Sequence, residues 1–261
     1  MTCSSDCFIR RPSSDPFQPE FIPLLSAVPE TLRQILNSNL HSVYVYVYGS
    51  VAETCALPEY SDLDICVVLF QPLSAVEQAQ LKATVSRLTQ KHDVVRKIDV
   101  DMGTLNEVLA PQNLFSWGYW LRHHCRPLYG ENLSAGFADF TPSKEIALAL
   151  NGDYESVLWD YLKRIEAEKC AVELFALKKS AAKRLIRSTN ILRECDDRDW
   201  PYSLQDHVDK FVAVYPQHRE LMDYFLKQSN LPCDEKIVFT ARLVWFITWL
   251  NETAKECESS S

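Results

Sequence analysis

The sequence predicts an α+β fold in which a short mixed sheet with helices precedes an all-α helical bundle. Three observations predict it: Val43 to Tyr48 alternates β-branched and aromatic residues, Ile65 to Phe70 is continuously apolar, and from about Thr141 apolar residues recur at helical spacing. A chain of 261 residues, 47% of them apolar, can bury the cores that two such domains need. The expected division is a flexible leader over 1–20, an α+β domain over 21–140 and a helical domain over 141–258.

In chain order, the leader is rich in Ser, Pro and Asp, with Phe17 and Phe21 available to tack it onto the body. Pro29-Glu30 reads as a helix start, and Leu32, Ile35, Leu36 and Leu40 supply its buried stripe. The strand Val43–Tyr48 follows, then the strand running to Phe70. A helix from about Ser74 to Lys91 turns Val76, Leu81, Val85 and Leu88 inward, and a third strand covers Lys97 to Met102. Between 105 and 129, Phe115, Trp117, Tyr119, Trp120 and Leu121 fit either a helix face or the lining of a cleft. Arg126 to Tyr129 reads as a short strand closed by Gly130. Thr141-Pro142-Ser143-Lys144-Glu145 is a helix-start signal, and helical runs follow near 153–168, 170–195, 203–213, 217–228 and 234–256.

Composition removes several classes of function. A net charge of −8 and a pI near 5.3 argue against gripping a long nucleic acid, because such binding rests on Lys and Arg neutralising phosphates. The nine cysteines are odd in number and lack CxxC pairing or zinc spacing, so they read mostly as buried thiols in a reducing compartment. The start has no basic segment followed by an apolar one, and no run reaches the roughly eighteen apolar residues of a membrane span. A cytoplasmic protein without membrane association is expected. The oligomeric state is left open.

The chemistry-bearing constellation is Gly49-Ser50, then eleven residues, then Asp62-Leu63-Asp64. A small turn closes one strand and two carboxylates open the next. Period-2 geometry points Asp62 and Asp64 to the same side, where they can share a divalent ion. Glycine lets the backbone approach a phosphate, and the Ser50 hydroxyl and nearby amides can donate to it. Two-ion phosphate chemistry usually needs a third carboxylate, and Asp99, set between Ile98 and Val100, supplies it; Asp101 shares its face. Three converging carboxylates repel, so one is expected to have a raised pKa unless a cation such as magnesium intervenes. Gly-Ser or Asp-x-Asp alone is an ordinary turn or strand entrance; the order of strand, turn, strand and later acidic strand lifts the set above that.

Tyr48-Gly49-Ser50, Ser61-Asp62-Leu63-Asp64 and Ile98-Asp99-Val100 together resemble the signature of the polymerase β-like nucleotidyltransferase superfamily. The likeness is greatest to small bacterial-type nucleotidyltransferases and aminoglycoside adenylyltransferases, which pair such a domain with a helical bundle. The resemblance implies transfer of a nucleoside monophosphate, usually AMP, from ATP or another NTP to a hydroxyl, with release of pyrophosphate. It implies two Mg2+ ions, held by Asp62, Asp64 and Asp99, with Asp99 also helping to activate the acceptor. Gly49 and Ser50 would hold the triphosphate. In one departure, many relatives place Arg-Gly after Gly-Ser-x-Ala, whereas Ala52 is followed here by Glu53-Thr54. A carboxylate in place of a cation weakens the attraction for a triphosphate.

Within the helical region, Lys179, Lys183 and Arg187 recur at i, i+4, i+8, beside Lys178 and Arg184. Lys183 and Arg187 are candidates for an anion clamp on the outgoing pyrophosphate; the competing reading is a solvated face paired with Glu166, Glu168 and Glu173. Glu173 is a weaker candidate for a general base. His123-His124 and the cluster Trp245, Phe246 and Trp249 read as packing residues, and Asp196-Asp197-Arg198-Asp199 as a solvated loop. The expected partners are a nucleoside triphosphate and a hydroxyl-bearing small molecule, with a protein acceptor, as in antitoxin-type adenylylation, as the first alternative. A nucleotide-binding regulatory module without turnover is the second, and Glu53 is the feature that favours it.

Overall fold

The computed structural model describes residues 8–36, 43–233 and 235–259. The chain divides into two compact units, Phe8–Phe140 and, from Thr141 onward, a helical unit. The first comprises α1 (Ile22–Leu36), β1 (Tyr44–Tyr48), α2 (Gly49–Ala52), β2 (Leu63–Leu69), α3 (Ala75–Lys91), β3 (Ile98–Thr104), α4 (Leu105–Val108), α5 (Tyr119–His123) and β4 (Arg126–Tyr129). Its four strands form one mixed sheet in the order β3-β2-β1-β4. β1 is antiparallel to both neighbours, and β2 and β3 run parallel.

Alternation along β1 explains why both faces of the sheet are covered. Val45 and Val47 join Leu63, Ile65, Val67 and Leu69 of β2 in a core shared with Leu24, Val28, Leu32 and Leu36 of α1. Tyr44 and Tyr46 turn the other way, with Cys66 and Val68, onto Val108, Leu121 and Cys125. Each fully buried aliphatic side chain contributes about 1.5–3 kcal/mol of transfer free energy. A one-residue slip of β2 would exchange the two faces and drive Asp64 into the aliphatic core. On the second face lies the stretch that was ambiguous in sequence. It consists of α4, a π-helical turn over Leu114–Gly118 and α5. Trp117 lies against β3 where Gly103 has no side chain; a Cβ there would come within 2.7 Å of the indole ring.

Pro29 does not start a helix. α1 begins at Ile22, with Pro23 in its first turn where a missing N–H costs nothing, and Pro29 lies inside it. The apolar stripe from Leu24 to Leu36 packs on the sheet and outweighs the lost hydrogen bond. Leu40 falls outside the described residues. Where the sequence suggested a leader, Ile9 is buried and its amide donates to the Phe140 carbonyl at 2.8 Å. Arg11 forms a forked pair with Asp139 at 2.9 and 2.7 Å, and Gln18 exchanges two hydrogen bonds with the Ala56 backbone. His123 closes this arrangement, accepting from the Phe140 amide and bonding the Arg10 carbonyl through Nδ1. Burial lowers its pKa, as suits a neutral packing histidine.

The second unit is built from α6 (Lys144–Asn151), α7 (Tyr154–Ala167), α8 (Ala171–Ser188), α9 (Leu204–Val214), α10 (Arg219–Asn230) and α11 (Lys236–Ser259). Leu158, Leu162, Leu177, Ala181, Leu185, Phe225, Phe239 and Phe246 form its core. α8 ends at Ser188 and passes into a 3-10 turn, earlier than the helical run to 195 implied. Trp245 is half exposed rather than a core residue. Of the cysteines described, only Cys66 and Cys125 are buried; Cys55, Cys170, Cys195 and Cys233 are exposed. Those four lie in loops or at helix caps, where no packed layer covers a thiol. Among the described residues no helix is long and apolar enough to cross a membrane.

Candidate active site

β2 and β3 run in register so that Asp64 is the direct partner of Asp99, and Cys66 of Asp101; on the other side Tyr48 is opposite Asp64. Period 2 therefore puts Tyr48, Asp64, Asp99 and Asp101 on one face, while Leu63, Ile65 and Ile98 enter the aliphatic core. The Tyr48 hydroxyl donates to Asp101 Oδ2, and the ring meets Trp120 edge-on at 4.8 Å. Burial, then the hydrogen bond to Asp101, raises the Tyr48 pKa and keeps the phenol protonated as a donor.

Asp64 is the innermost carboxylate. Burial first, then the charges of Asp99 and Asp62, push its pKa up to about 6, with Lys97 pulling the other way. Gly49 sits directly against it. This residue has φ +70°, and a Cβ there would collide with Asp64 Oδ2. Glycine is thus required twice, once for the left-handed turn and once for the close approach. Gly49 and Ser50 open α2, whose last turn is followed by Thr54 at φ +56°. A β-branched residue is strained in that region. Glu53 is held by Arg10 at 3.4 Å. Arg126 donates to the Ala52 carbonyl at 3.0 Å while stacking 3.7 Å over Phe17.

Asp62 and Asp99 meet partners that the sequence reading did not assign. Arg96 grips Asp62 through two bonds, Nε to Oδ1 at 3.1 Å and Nη2 to Oδ2 at 3.0 Å. Lys97 Nζ lies 2.5 Å from Asp99 Oδ2 and 3.7 Å from Asp62 Oδ2. Burial alone would lower the lysine pKa, but the bond to Asp99 and the fields of both aspartates raise it. The sequence signal was Lys97 two residues before Asp99, hence on the same strand face. Recognising Arg96 required knowing that β3 lies parallel beside Asp62.

Carboxylate oxygens on adjacent strands suit a hard divalent cation such as Mg2+ or Mn2+. The donors are not drawn into a finished cage. Among the described residues no three acidic, His or Cys side chains are gathered tightly enough to enclose a metal. Arg96 and Lys97 hold Asp62 and Asp99 instead. The chemistry of the set fits, and Lys97 already stands as a cation between two of its members.

In the helical unit the cationic run of α8 splits. Lys178 is fully buried, with Nζ 5.3 Å from the Phe239 ring centre. Arg184 pairs with Asp153 rather than with Glu166, Glu168 or Glu173. Lys183 is half-buried, and Arg187 and Glu173 are exposed. The acidic loop after α8 is organised rather than merely solvated: Asp197 takes a 2.7 Å ion pair from Lys210, and Arg193 donates to the carbonyls of Asp197 and Asp199. This loop lines a cavity of about 750 Å³ with Trp200, His207 and Tyr215.

The four-stranded mixed sheet thus presents a glycine turn and paired carboxylates on one face. Residues 29–115 match the family described as nucleotidyltransferase domain, so the protein carries a domain of that kind. In fold the chain is similar to the spectinomycin adenyltransferase AAD(9) from Enterococcus faecialis, solved with ATP and spectinomycin. The TM-score is 0.50 at 14% identity, over 87% of this chain and 98% of that one. No curated protein matches it in sequence. The chain thus shares the fold of that structure, an α+β domain followed by a helical region, and the nucleotidyltransferase match falls within the α+β part.

Proposed function

We propose that the protein transfers AMP from ATP to a hydroxyl group of a small molecule and releases pyrophosphate. The observation that carries this reading is the register pairing of Asp64 with Asp99 beside a glycine that packs without a Cβ against Asp64. The neighbour solved with ATP and spectinomycin supports the donor and the kind of acceptor. Asp62, Asp64 and Asp99 would hold two Mg2+ ions, which when bound neutralise the triphosphate and make the acceptor hydroxyl more acidic.

In the transfer, the acceptor oxygen forms a bond to the α-phosphorus, and the bond from that phosphorus to the oxygen bridging to the β-phosphate breaks. That oxygen leaves with the electron pair as part of pyrophosphate, and the hydroxyl proton passes to a base. Asp99 is the more exposed of the paired carboxylates and takes the role nearest the acceptor. Gly49 lets the backbone approach the phosphates and Ser50 donates to them. Tyr48 holds Asp101 in place.

Incubation with each of four nucleoside triphosphates, a divalent cation and an acceptor panel, read by pyrophosphate release and mass spectrometry, tests this. A gain of one AMP on a small molecule is expected. The same gain on a polypeptide would favour protein modification. Nucleotide binding with no pyrophosphate released by any acceptor would favour a regulatory module, the reading that Glu53 supports.

A further inference from the structure

We propose that Lys97, seconded by Arg96, is the built-in counter-cation of the carboxylate cluster, and that a divalent cation gains Asp62 and Asp99 only by displacing it. The inference rests on the reading of those carboxylates as metal ligands. Its basis is a single ammonium that straddles two of them, 2.5 Å from Asp99 and 3.7 Å from Asp62, while Arg96 takes both oxygens of Asp62.

The backbone keeps these cations in place. The Leu63 amide donates to the Lys97 carbonyl at 2.9 Å, and the Arg96 amide to the Ser61 carbonyl at 3.1 Å, so the entrances to β2 and β3 are laced together. Lys97, immediately before β3, is two residues from Asp99 and extends to the same side. The Lys97 side chain is 49% exposed, whereas that of Asp62 is only 23% exposed. A lysine with a flexible four-carbon stem and one side in water can swing outward further than the short aspartates it leaves behind. An ammonium bonded this closely to a carboxylate competes with a second cation for it, because the two like charges repel. The aspartates are thereby held against their mutual repulsion at the cost of weaker affinity for a metal. Lys97 is a positioning residue in this scheme: it sets the affinity and does not touch the reacting atoms.

Mn2+ titration of the full chain without nucleotide or acceptor, read by the electron paramagnetic resonance of free Mn2+, tests the proposal. Lys97→Met is expected to bind Mn2+ about three- to tenfold tighter than wild type, the scale of one part-exposed ion pair. It should also melt lower without a divalent ion, and Mn2+ should narrow that gap. Lys97→Arg, which restores the charge, should return affinity toward wild type. Should Lys97→Met fail to fold, Lys97→Gln carries the same expectation. An equal or weaker Mn2+ constant in the neutral variants would overturn the proposal, since a lysine that stays to assist binding gives that result. The control is Asp64→Asn. If wild type binds Mn2+, Asp64→Asn loses it and Lys97→Met changes nothing, only the Lys97 role falls. If neither wild type nor Lys97→Met binds Mn2+, the metal reading falls and takes this inference with it.

Discussion

Asp64 and Asp99 face each other as register partners across the parallel strands β2 and β3, and the inner of the two has its pKa raised to about 6. Burial and neighbouring like charge both disfavour its ionised form. The sign of the consequence follows from linkage. A carboxylate whose folded pKa exceeds the unfolded value near 3.8 contributes stability below that value and loses it as pH rises through about 6. Asp64→Asn removes this penalty, and is expected to stabilise the fold by about 1–2 kcal/mol at pH 7.5, with the gain vanishing near pH 4. It should abolish nucleotidyl transfer. Urea unfolding at the two pH values with parallel activity assays checks both; a variant less stable at pH 7.5 would count against the buried, unfavourable carboxylate.

Gly49→Ala meets two obstacles, the left-handed φ of +70° and the Asp64 oxygen already occupying the space of a Cβ. The expected cost is about 2 kcal/mol in stability, with loss of transfer because Asp64 must move. Chemical denaturation and pyrophosphate release measure the two effects. Wild-type values in both would show that the turn has room to spare.

Thr54→Gly should act in the opposite direction. Relief of a β-branched residue at φ +56° outweighs the added freedom of the unfolded glycine, for a net gain of about 0.5–1 kcal/mol. A lower urea midpoint in the variant would contradict the strain.

Asp139 ties the N-terminal segment down through Arg11 and Arg122. The hydrogen bond from Arg11, then that from Arg122, holds its pKa at about 2 against the opposing effect of burial. A depressed carboxylate pKa contributes stability above the unfolded value near 3.8, and that contribution is lost as pH falls toward 2. Because its partner Arg11 is largely exposed and the pair is screened by solvent, Asp139→Asn should cost only about 0.5–1 kcal/mol at pH 7. The difference should close between pH 4 and 2. Thermal melts across that range check it; a gap that persists at pH 2 would assign the loss to something other than charge.

Much of the first unit was legible because burial leaves a period. Tyr44–Tyr48 alternates, Leu63–Leu69 is apolar on both faces, and the polar breaks at Asp64 and Asp99 mark where strands present side chains to a site. Helix starts were less legible where tertiary packing overrode local preference: α1 accommodates Pro29 because its stripe is clamped on the sheet. The aromatics from Phe115 to Leu121 stayed ambiguous because a π turn and short helices have no stable period. On α8, charge periodicity alone could not show that Lys178 is buried over Phe239 while Arg184 turns to Asp153.

The sequence by itself determined the reaction-bearing pattern: a glycine turn after one strand and carboxylates at alternate positions of the next two. It did so because strand side chains alternate by geometry that any chain obeys. Only the tertiary structure decided which cations those carboxylates meet. Arg96 and Lys97 reach Asp62 through the parallel register of β2 and β3, a long-range pairing that no local pattern encodes. The same register buries Asp64 against Gly49, and so distinguishes one aspartate of the set from the others.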